Sequence, residues 1–386
     1  MSNIGPRKAQ NGTKPYRFDV CWDDSSDNAN WDGFVESCAD GHHEQTSLWG
    51  KVRSQFGWQV IRLIVRDGTR IVAGVQLMTR SAGRLGKIGY VTYGPVFGEQ
   101  DPELFTLVIR ELQSQAKVIG HRCLVLGLPY EGHALPPVLK EAGFFPKPTH
   151  FPPSFLEATC VIDLTRSEEE ILSRMRPNTR RNIRFSAKQG IRVIEGSAAD
   201  LSTFRRLMVS LCERRHTTAN PPQADFFPQL WQEFQPKGWI KLFLAMKGDE
   251  AVSAALAFPF GEYVRVWKVG WSGEFSQQKP NEALWWAAIQ WAKKNSYRYL
   301  DFVEVDAAFA RARSGGGSVE AGPMNVTSFK LGFGGEIKLL PGAYFYFPNL
   351  VVRTALRCGL MRVLSTPFFA NLTKSAVTHT LGRFSK

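Results

Sequence analysis

The residues best suited to chemistry lie in the run Phe329-Lys330-Leu331-Gly332-Phe333-Gly334-Gly335. Lys330 falls between a strand-like segment and a glycine-rich turn, where main chain can approach a substrate. A partly desolvated ammonium there can stabilise a tetrahedral oxyanion or move a proton. Those are needs of acyl transfer in general, which takes a nucleophile, an activated acyl donor and an oxyanion stabiliser. The other reading of Lys330 is a solvated residue at a strand end. A second group is basic: Arg174, Arg176, Arg180, Arg181, Arg184, Lys188 and Arg192. Arg180, Arg184 and Lys188, at i, i+4 and i+8, line one helix face. Such a face suits a phosphate backbone and predicts salt-dependent binding. The alternative is a solvated face balanced by Glu168, Glu169 and Glu170. A third group is Asn220 to Gln223 with Phe226 and Phe227, which can shape a small acceptor pocket. Equally, Pro221 and Pro222 can simply start a helix. Nothing in the spacing points to a metal. The seven histidines form no HExxH pair, and adjacent His42 and His43 are poorly placed to share one ion. The six cysteines form no CxxC pair and read as reduced, small apolar residues.

Two similar sets of elements surround these groups. Gly57-Trp58 opens a β-rich run that turns at Asp67-Gly68, and Gly238-Trp239 opens another that turns at Gly248-Asp249. An offset of 181 aligns Trp58 with Trp239 and Ala73 with Ala254. Each unit reads as a β-hairpin. An amphipathic helix from Leu104 to Gly120 and a strand from Cys123 to Leu128 follow the first hairpin. A helix from Asn281 to Asn295 and a strand from Tyr299 to Val305 follow the second. Each half therefore reads helix, hairpin, strand, helix, strand, as in a duplicated α/β domain with a mixed sheet. A further helix is expected from Trp31 to Cys38. Pro146 to Phe155 carries four prolines and suits a linker. The expected divisions are a flexible tail over 1–16, a first domain over 17–150, a second over 151–348, and a basic amphipathic segment over 349–386.

The order of elements resembles the GNAT fold of N-acetyltransferases, in which two central parallel strands splay to admit the acyl donor. That resemblance implies a [Q/R]-x-x-G-x-[G/A] loop that cradles the CoA pyrophosphate at a helix start. The corresponding segment is Gln278-Lys279-Pro280-Asn281-Glu282-Ala283, with Asn281 in place of the central glycine and Glu282 beside it. The fold is kept while the phosphate cradle is eroded.

Five motifs in order resemble the Fem family of aminoacyl-tRNA-dependent peptidyltransferases. They are Gln45-Thr46-Ser47-Leu48-Trp49-Gly50-Lys51, Phe56-Gly57-Trp58, Tyr93-Gly94-Pro95-Val96, the segment from Met175 to Arg184, and Phe329 to Gly335. The resemblance implies two tandem GNAT-like domains, each a mixed sheet with a splayed parallel strand pair flanked by helices. The long coiled-coil arm of some members is missing. It implies Lys330 as the catalytic lysine with Phe329 lining the site. It implies Lys51 and Arg53 against phosphates of an acceptor, with Trp49 and Phe226 also on the substrate side. Arg180, Arg181, Arg184 and Lys188 are then the tRNA face. Aminoacyl-tRNA is a co-substrate, and neither cofactor nor metal is expected. The acceptor is an amine of a peptide-like natural product or a peptidoglycan precursor. The alternatives are an acyl-CoA-dependent GNAT N-acyltransferase and a non-catalytic nucleic-acid- or membrane-binding module.

Composition fits this class. The chain has 386 residues with 44% hydrophobic and 22% charged, which excludes a wholly disordered, collagen-like or coiled-coil protein. The net charge of +13 is uneven, with 31 basic against 20 acidic residues after position 155. A polyanionic partner follows, either nucleic acid or an anionic lipid surface. The last 50 residues hold seven basic residues and no acidic one. Within them Asn349 to Leu364 is amphipathic, suited to core packing, to tRNA or to peripheral contact with an anionic membrane. The polar start of the chain lacks an apolar signal core. A cytoplasmic monomer, with membrane-peripheral contact as an option, is the expectation.

Overall fold

The computed structural model describes residues 18–83, 86–148, 155–314 and 326–360. The expected tail over 1–16, the triple glycine at 315–317 and the end of the chain from 361 lie outside the described residues. The chain divides into two units, Leu156–Leu339 and the remainder.

In the first unit the order is β1 (Asp19–Asp23), α1 (Ala29–Ser37), α2 (Ser47–Gln55), β2 (Gln59–Asp67), β3 (Arg70–Ser81), β4 (Lys87–Val91), β5 (Val96–Phe97), α3 (Pro102–Ile119), β6 (His121–Gly127), α4 (Leu135–Glu141) and β7 (Phe145–Pro146). Asn28 caps α1, its side chain accepting from Trp31 N, so the helix starts two residues before the apolar pattern does. α3 runs from the Asp101 cap to Gly120, whose φ of 79° ends the helix in the left-handed region. Its buried stripe of Leu104, Leu107, Val108 and Leu112 packs on the sheet with Leu63, Val75 and Leu124.

The second unit runs β8 (Ala158–Asp163), α5 (Glu168–Arg174), α6 (Pro177–Lys188), β9 (Ile191–Glu195), α7 (Leu201–Arg214), α8 (Phe226–Phe234), β10 (Lys241–Lys247), β11 (Glu250–Phe260), β12 (Tyr263–Trp271), α9 (Pro280–Lys294), β13 (Tyr299–Asp301), α10 (Ala307–Ser314), α11 (Val326–Leu331) and β14 (Glu336–Leu339). Its seven strands are ordered β14-β8-β13-β12-β11-β10-β9. Leu284, Trp285, Ala288 and Ile289 of α9 close the core over Val264, Leu300 and Phe302.

The duplication is visible in the register. Both hairpins carry a bulge at the same step before the turn, at Val65/Arg66 and at Ala245/Met246. These positions are 180 residues apart, as are the end pairs Asp67↔Arg70 and Lys247↔Glu250. The 181 offset holds at the tryptophans. The first hairpin is one residue longer between its Trp and its turn, which lies at Gly68-Thr69. Each half pairs its central strands in parallel, β4 with β6 and β12 with β13. The pairs differ in length. β12 and β13 share three residue pairs, ending at Arg265↔Asp301. β12 then continues beside β11 to Trp271, while Phe302 N–H donates to Cys160 O on β8. The parallel strands part there. In the first unit β4 and β6 stay paired up to Val91↔Leu126, and Gly94 N–H still donates to Gly127 O at 3.1 Å.

After Leu339 the chain returns to the first unit. β15 (Ala343–Tyr346) pairs with β6 and β7, followed by α12 (Leu350–Ala355). The second unit therefore ends at Leu339, where a boundary at 348 was expected. The reason is long-range strand pairing, which no local pattern reveals. Among the described residues the longest helix is α3, of 18 residues, and none is long and apolar enough to cross a membrane.

Candidate functional site

In the second unit the candidate site lies where β12 and β13 part. β13 stops at Asp301, and the chain turns through Val303, whose φ is 57°. A β-branched residue is strained there, a cost of about 1–3 kcal/mol that persists only where surroundings enforce it. Here Val303 N–H donates to Asp301 Oδ1 at 2.7 Å, and Thr159 Oγ1 donates to the same oxygen. The turn aims two carbonyls at one cation. Lys330 Nζ donates to Glu304 O at 2.5 Å and to Val303 O at 3.3 Å. Burial pulls the Lys330 ammonium down to about 8. Glu304, Asp301 and Cys160 oppose that shift, while Arg215 adds to it. The lysine is thus still mostly an ammonium at neutral pH and loses its proton at about pH 8.

Lys330 lies on the short helix α11, not at a strand end as the sequence suggests. The glycines that follow serve packing against their own fold. A Cβ on Gly332 would meet Thr179 Oγ1 at 2.7 Å, and one on Gly335 would meet Cys160 Sγ at 2.6 Å. Gly334, at φ 79°, lies against the Arg174 main chain. Phe329 is half-buried and meets Phe333 edge-on at 5.4 Å, which fixes the orientation of α11. Arg176 completes the support. Its N–H donates to Gly332 O at 2.9 Å, and its guanidinium donates to Ser328 Oγ at 3.0 Å. Sequence reading placed Arg176 in a basic run and missed this role, because its partners lie more than 150 residues away.

Arg176 is also the residue before α6, so the basic helix starts against the lysine's support. Its exposed basic residues are Arg181, Arg184 and Lys188, with Phe185 41% exposed among them. Among the described residues none of the three cations forms an ion pair. Arg180 is turned away from that face. Its Nη1 donates to Met175 O at 2.8 Å, Ser173 O at 3.0 Å and Leu172 O at 3.2 Å, capping the end of α5. The i, i+4, i+8 stripe is therefore replaced by one at 181, 184 and 188. Glu170 is held in a capping box with Ser167.

At the start of α9, where the cradle loop was sought, Ser253 Oγ donates to Asn281 Oδ1 at 2.6 Å. Asn182 Nδ2 donates to Glu282 Oε1 at 2.9 Å. A carboxylate already lies in the first turn of α9, where the helix dipole would favour a ligand anion. Phe226 was expected to line a pocket. It is fully buried at the start of α8, packed on Phe227 at 5.9 Å and Trp267 at 6.2 Å. The apolar face of α8 needs it as core, which corrects that assignment.

The first unit holds the other candidates on α2. Gln45, just before the helix, is buried and donates through Nε2 to Thr92 O at 2.6 Å. Its Oε1 accepts from Gln76 N at 2.8 Å. Gly50 allows α2 to lie on the sheet, since a Cβ there would meet Gln76 Oε1 at 2.7 Å. Lys51 and Arg53 are both half-buried; two apart on a helix, they leave it on different sides. The Arg53 guanidinium lies 4.8 Å from the Trp58 ring centre and 6.0 Å from that of Trp49, itself buried. Arg80, unmarked by sequence, lies 5.5 Å from the Trp58 ring. The pairing Gln59↔Thr79 brings it there. Burial draws Arg53 down to about 10, with Arg80 adding and Glu44 opposing.

His42, His43 and Glu44 have donor atoms within 4.8 Å of one another. The two imidazoles stack at 4.3 Å and 30°, and His42 Nδ1 accepts from Glu44 N. Ring lone pairs lie in the ring planes, so stacked rings do not converge on one ion. Tyr93 stacks on His42 at 3.9 Å, extending the aromatic array.

Residues 27–134 match the FemAB family, and residues 173–311 match the acetyltransferase (GNAT) domain. No curated protein matches the sequence. Among solved structures, FemX covers 85% of this chain and 98% of its own at 17% identity, with a TM-score of 0.72. The L-PGS from Bacillus licheniformis covers 94% and 99% at 15% identity, TM-score 0.52. A tandem GNAT protein from the clavulanic acid biosynthesis pathway covers 86% and 99% at 9% identity, TM-score 0.50. At such identities the likeness is one of fold. The first unit thus carries a match to the FemAB family and the second a match to the GNAT domain, and the chain as a whole has the tandem GNAT-like fold of FemX.

Proposed function

We propose that the protein forms an amide by moving an aminoacyl group from aminoacyl-tRNA to an acceptor amine. The observation that carries this reading is the desolvated Lys330 at the point where β12 and β13 part. The amine attacks the ester carbonyl, a C–N bond forms, and the carbonyl electrons move onto oxygen. The Lys330 ammonium stabilises that oxyanion. Collapse breaks the ester C–O bond, and the proton lost by the amine ends on the ribose hydroxyl. No metal or nucleotide is required by this chemistry, because the ester arrives activated.

The tRNA side of the reading is supported by Arg181, Arg184 and Lys188. Arg181→Glu with Arg184→Glu is expected to weaken tRNA binding by more than tenfold at low salt. It should flatten the log–log salt dependence by about 0.9 for each phosphate that is no longer neutralised. Filter binding across a salt series measures both. An unchanged slope would make this face merely solvated.

The second reading, an acyl-CoA N-acyltransferase, is favoured by the GNAT match over 173–311. One assay separates the two. The protein is incubated with charged total tRNA and candidate amines, with and without RNase, and in parallel with acetyl-CoA. Amide formation that needs intact charged tRNA and ignores CoA is the expected result. Full turnover with acetyl-CoA in RNase-treated mixtures would replace it by the second reading.

A further inference from the structure

We propose that α6 binds an unpaired strand of RNA, with one base lying on the Phe185 ring and the flanking phosphates on Arg181, Arg184 and Lys188. The inference rests on the tRNA reading and adds what that face recognises. On a helix, positions 181, 184, 185 and 188 share a stripe about 100° wide. Ile183 and Ser186, both buried, hold the opposite side against the fold. The chain has 27 phenylalanines, 11 tryptophans and 9 tyrosines. Among the described residues Phe185 alone of these is exposed. Its ring lies among three exposed cations, and no acidic residue occurs from Ile171 to Ile194. The helix itself does not call for a phenylalanine there, since Lys, Arg or Gln forms helix more readily.

Charge and ring together select the occupant. A single strand is held by cations along its backbone and by aromatic rings against its bases. A duplex answers the cations but keeps its base faces in its own stack, so it has no use for the ring. An anionic bilayer also answers the cations, but helices that lie in an interface present a broad apolar face. The stripe on α6 has one apolar side chain. The helix also starts at the support of Lys330. Arg176, just before α6, donates through its main-chain N–H to Gly332 O and through its guanidinium to Ser328 Oγ. Phe185 follows nine residues later, about 13 Å along the axis. A strand whose ester lies at Lys330 therefore reaches Phe185 with nucleotides close to that ester.

The test is filter binding of the full chain, across a salt series, to single-stranded oligoadenylate of about 12 nucleotides and to a blunt RNA duplex of the same length. Phe185→Ala is expected to weaken binding of the single strand by about tenfold and to change that of the duplex by less than about twofold. The salt slope of both should stay as in the wild type, because the ring neutralises no phosphate. Phe185→Trp should hold the single strand at least as tightly as the wild type. The duplex is the folding control, since a disturbed α6 would lose both RNAs. Wild-type binding of the single strand by Phe185→Ala, or equal losses on strand and duplex, would overturn this inference and leave the tRNA reading standing. No salt-dependent binding of either RNA would overturn both. Sedimentation with anionic vesicles that Phe185→Ala abolishes would overturn it in favour of a lipid surface.

Discussion

Lys330→Ala is expected to lower kcat by about 10²–10³-fold, the scale of removing one oxyanion donor. Binding of both substrates should change little, because the interaction develops in the transition state. Lys330→Arg should recover little, since a planar fork cannot take the place of a compact ammonium between Glu304 O and Val303 O. In the wild type the alkaline limb of kcat should fall through about pH 8, where Lys330 loses its proton. Stability should move the other way. The folded chain releases this proton near 8 and the unfolded chain near 10.5. Between those values the unfolded state binds more protons, so this group's contribution to stability rises with pH. Below pH 8 the folded state bears the full cost of a desolvated charge. Lys330→Met is therefore expected to stabilise the protein by about 1–3 kcal/mol at pH 7 while removing activity. Urea unfolding beside a tRNA-dependent turnover assay checks both halves. Near-normal turnover of Lys330→Ala would remove this residue from the mechanism.

Gly334→Ala is expected to destabilise the fold by about 2–4 kcal/mol and to lower turnover even where the protein remains folded. Two effects combine. The φ of 79° disfavours any Cβ, and a Cβ there would lie 2.6 Å from the Arg174 carbonyl carbon and oxygen. Main chain cannot move aside as a side-chain end can, so the 332–335 turn must shift. α11 would move with it, and Lys330 would leave the carbonyls of 303 and 304. Gly248→Ala is the control. It has φ 61° with nothing within 4 Å of the added Cβ, so only the backbone cost of about 1 kcal/mol remains. Tryptophan fluorescence through urea titrations of both variants makes the comparison. Equal destabilisation of the two would show that the approach to Arg174 does not matter.

Local order in this protein was legible from residue types alone. The hairpins, α3, α9 and the duplication follow from periodicity and turn residues, because such signals act within a few residues along the chain. Lys330 stood out because it precedes a glycine-rich turn, where main chain can approach a substrate, and because the run from Phe329 to Gly335 resembles a Fem motif. Tertiary structure decided what surrounds it. The pKa near 8, the strained Val303 turn and the Arg176 anchor all depend on residues far apart in sequence. The same holds for Phe226, an aromatic that any pocket could use and that the core of the second unit takes. It holds for Arg180, whose charge suited a phosphate and whose fork closes the end of α5. Residues 340–346 carry no local mark of which unit they join; β15 is assigned by its partners β6 and β7. A sequence pattern specifies which face of an element is apolar, but which element covers that face is settled only when distant segments meet.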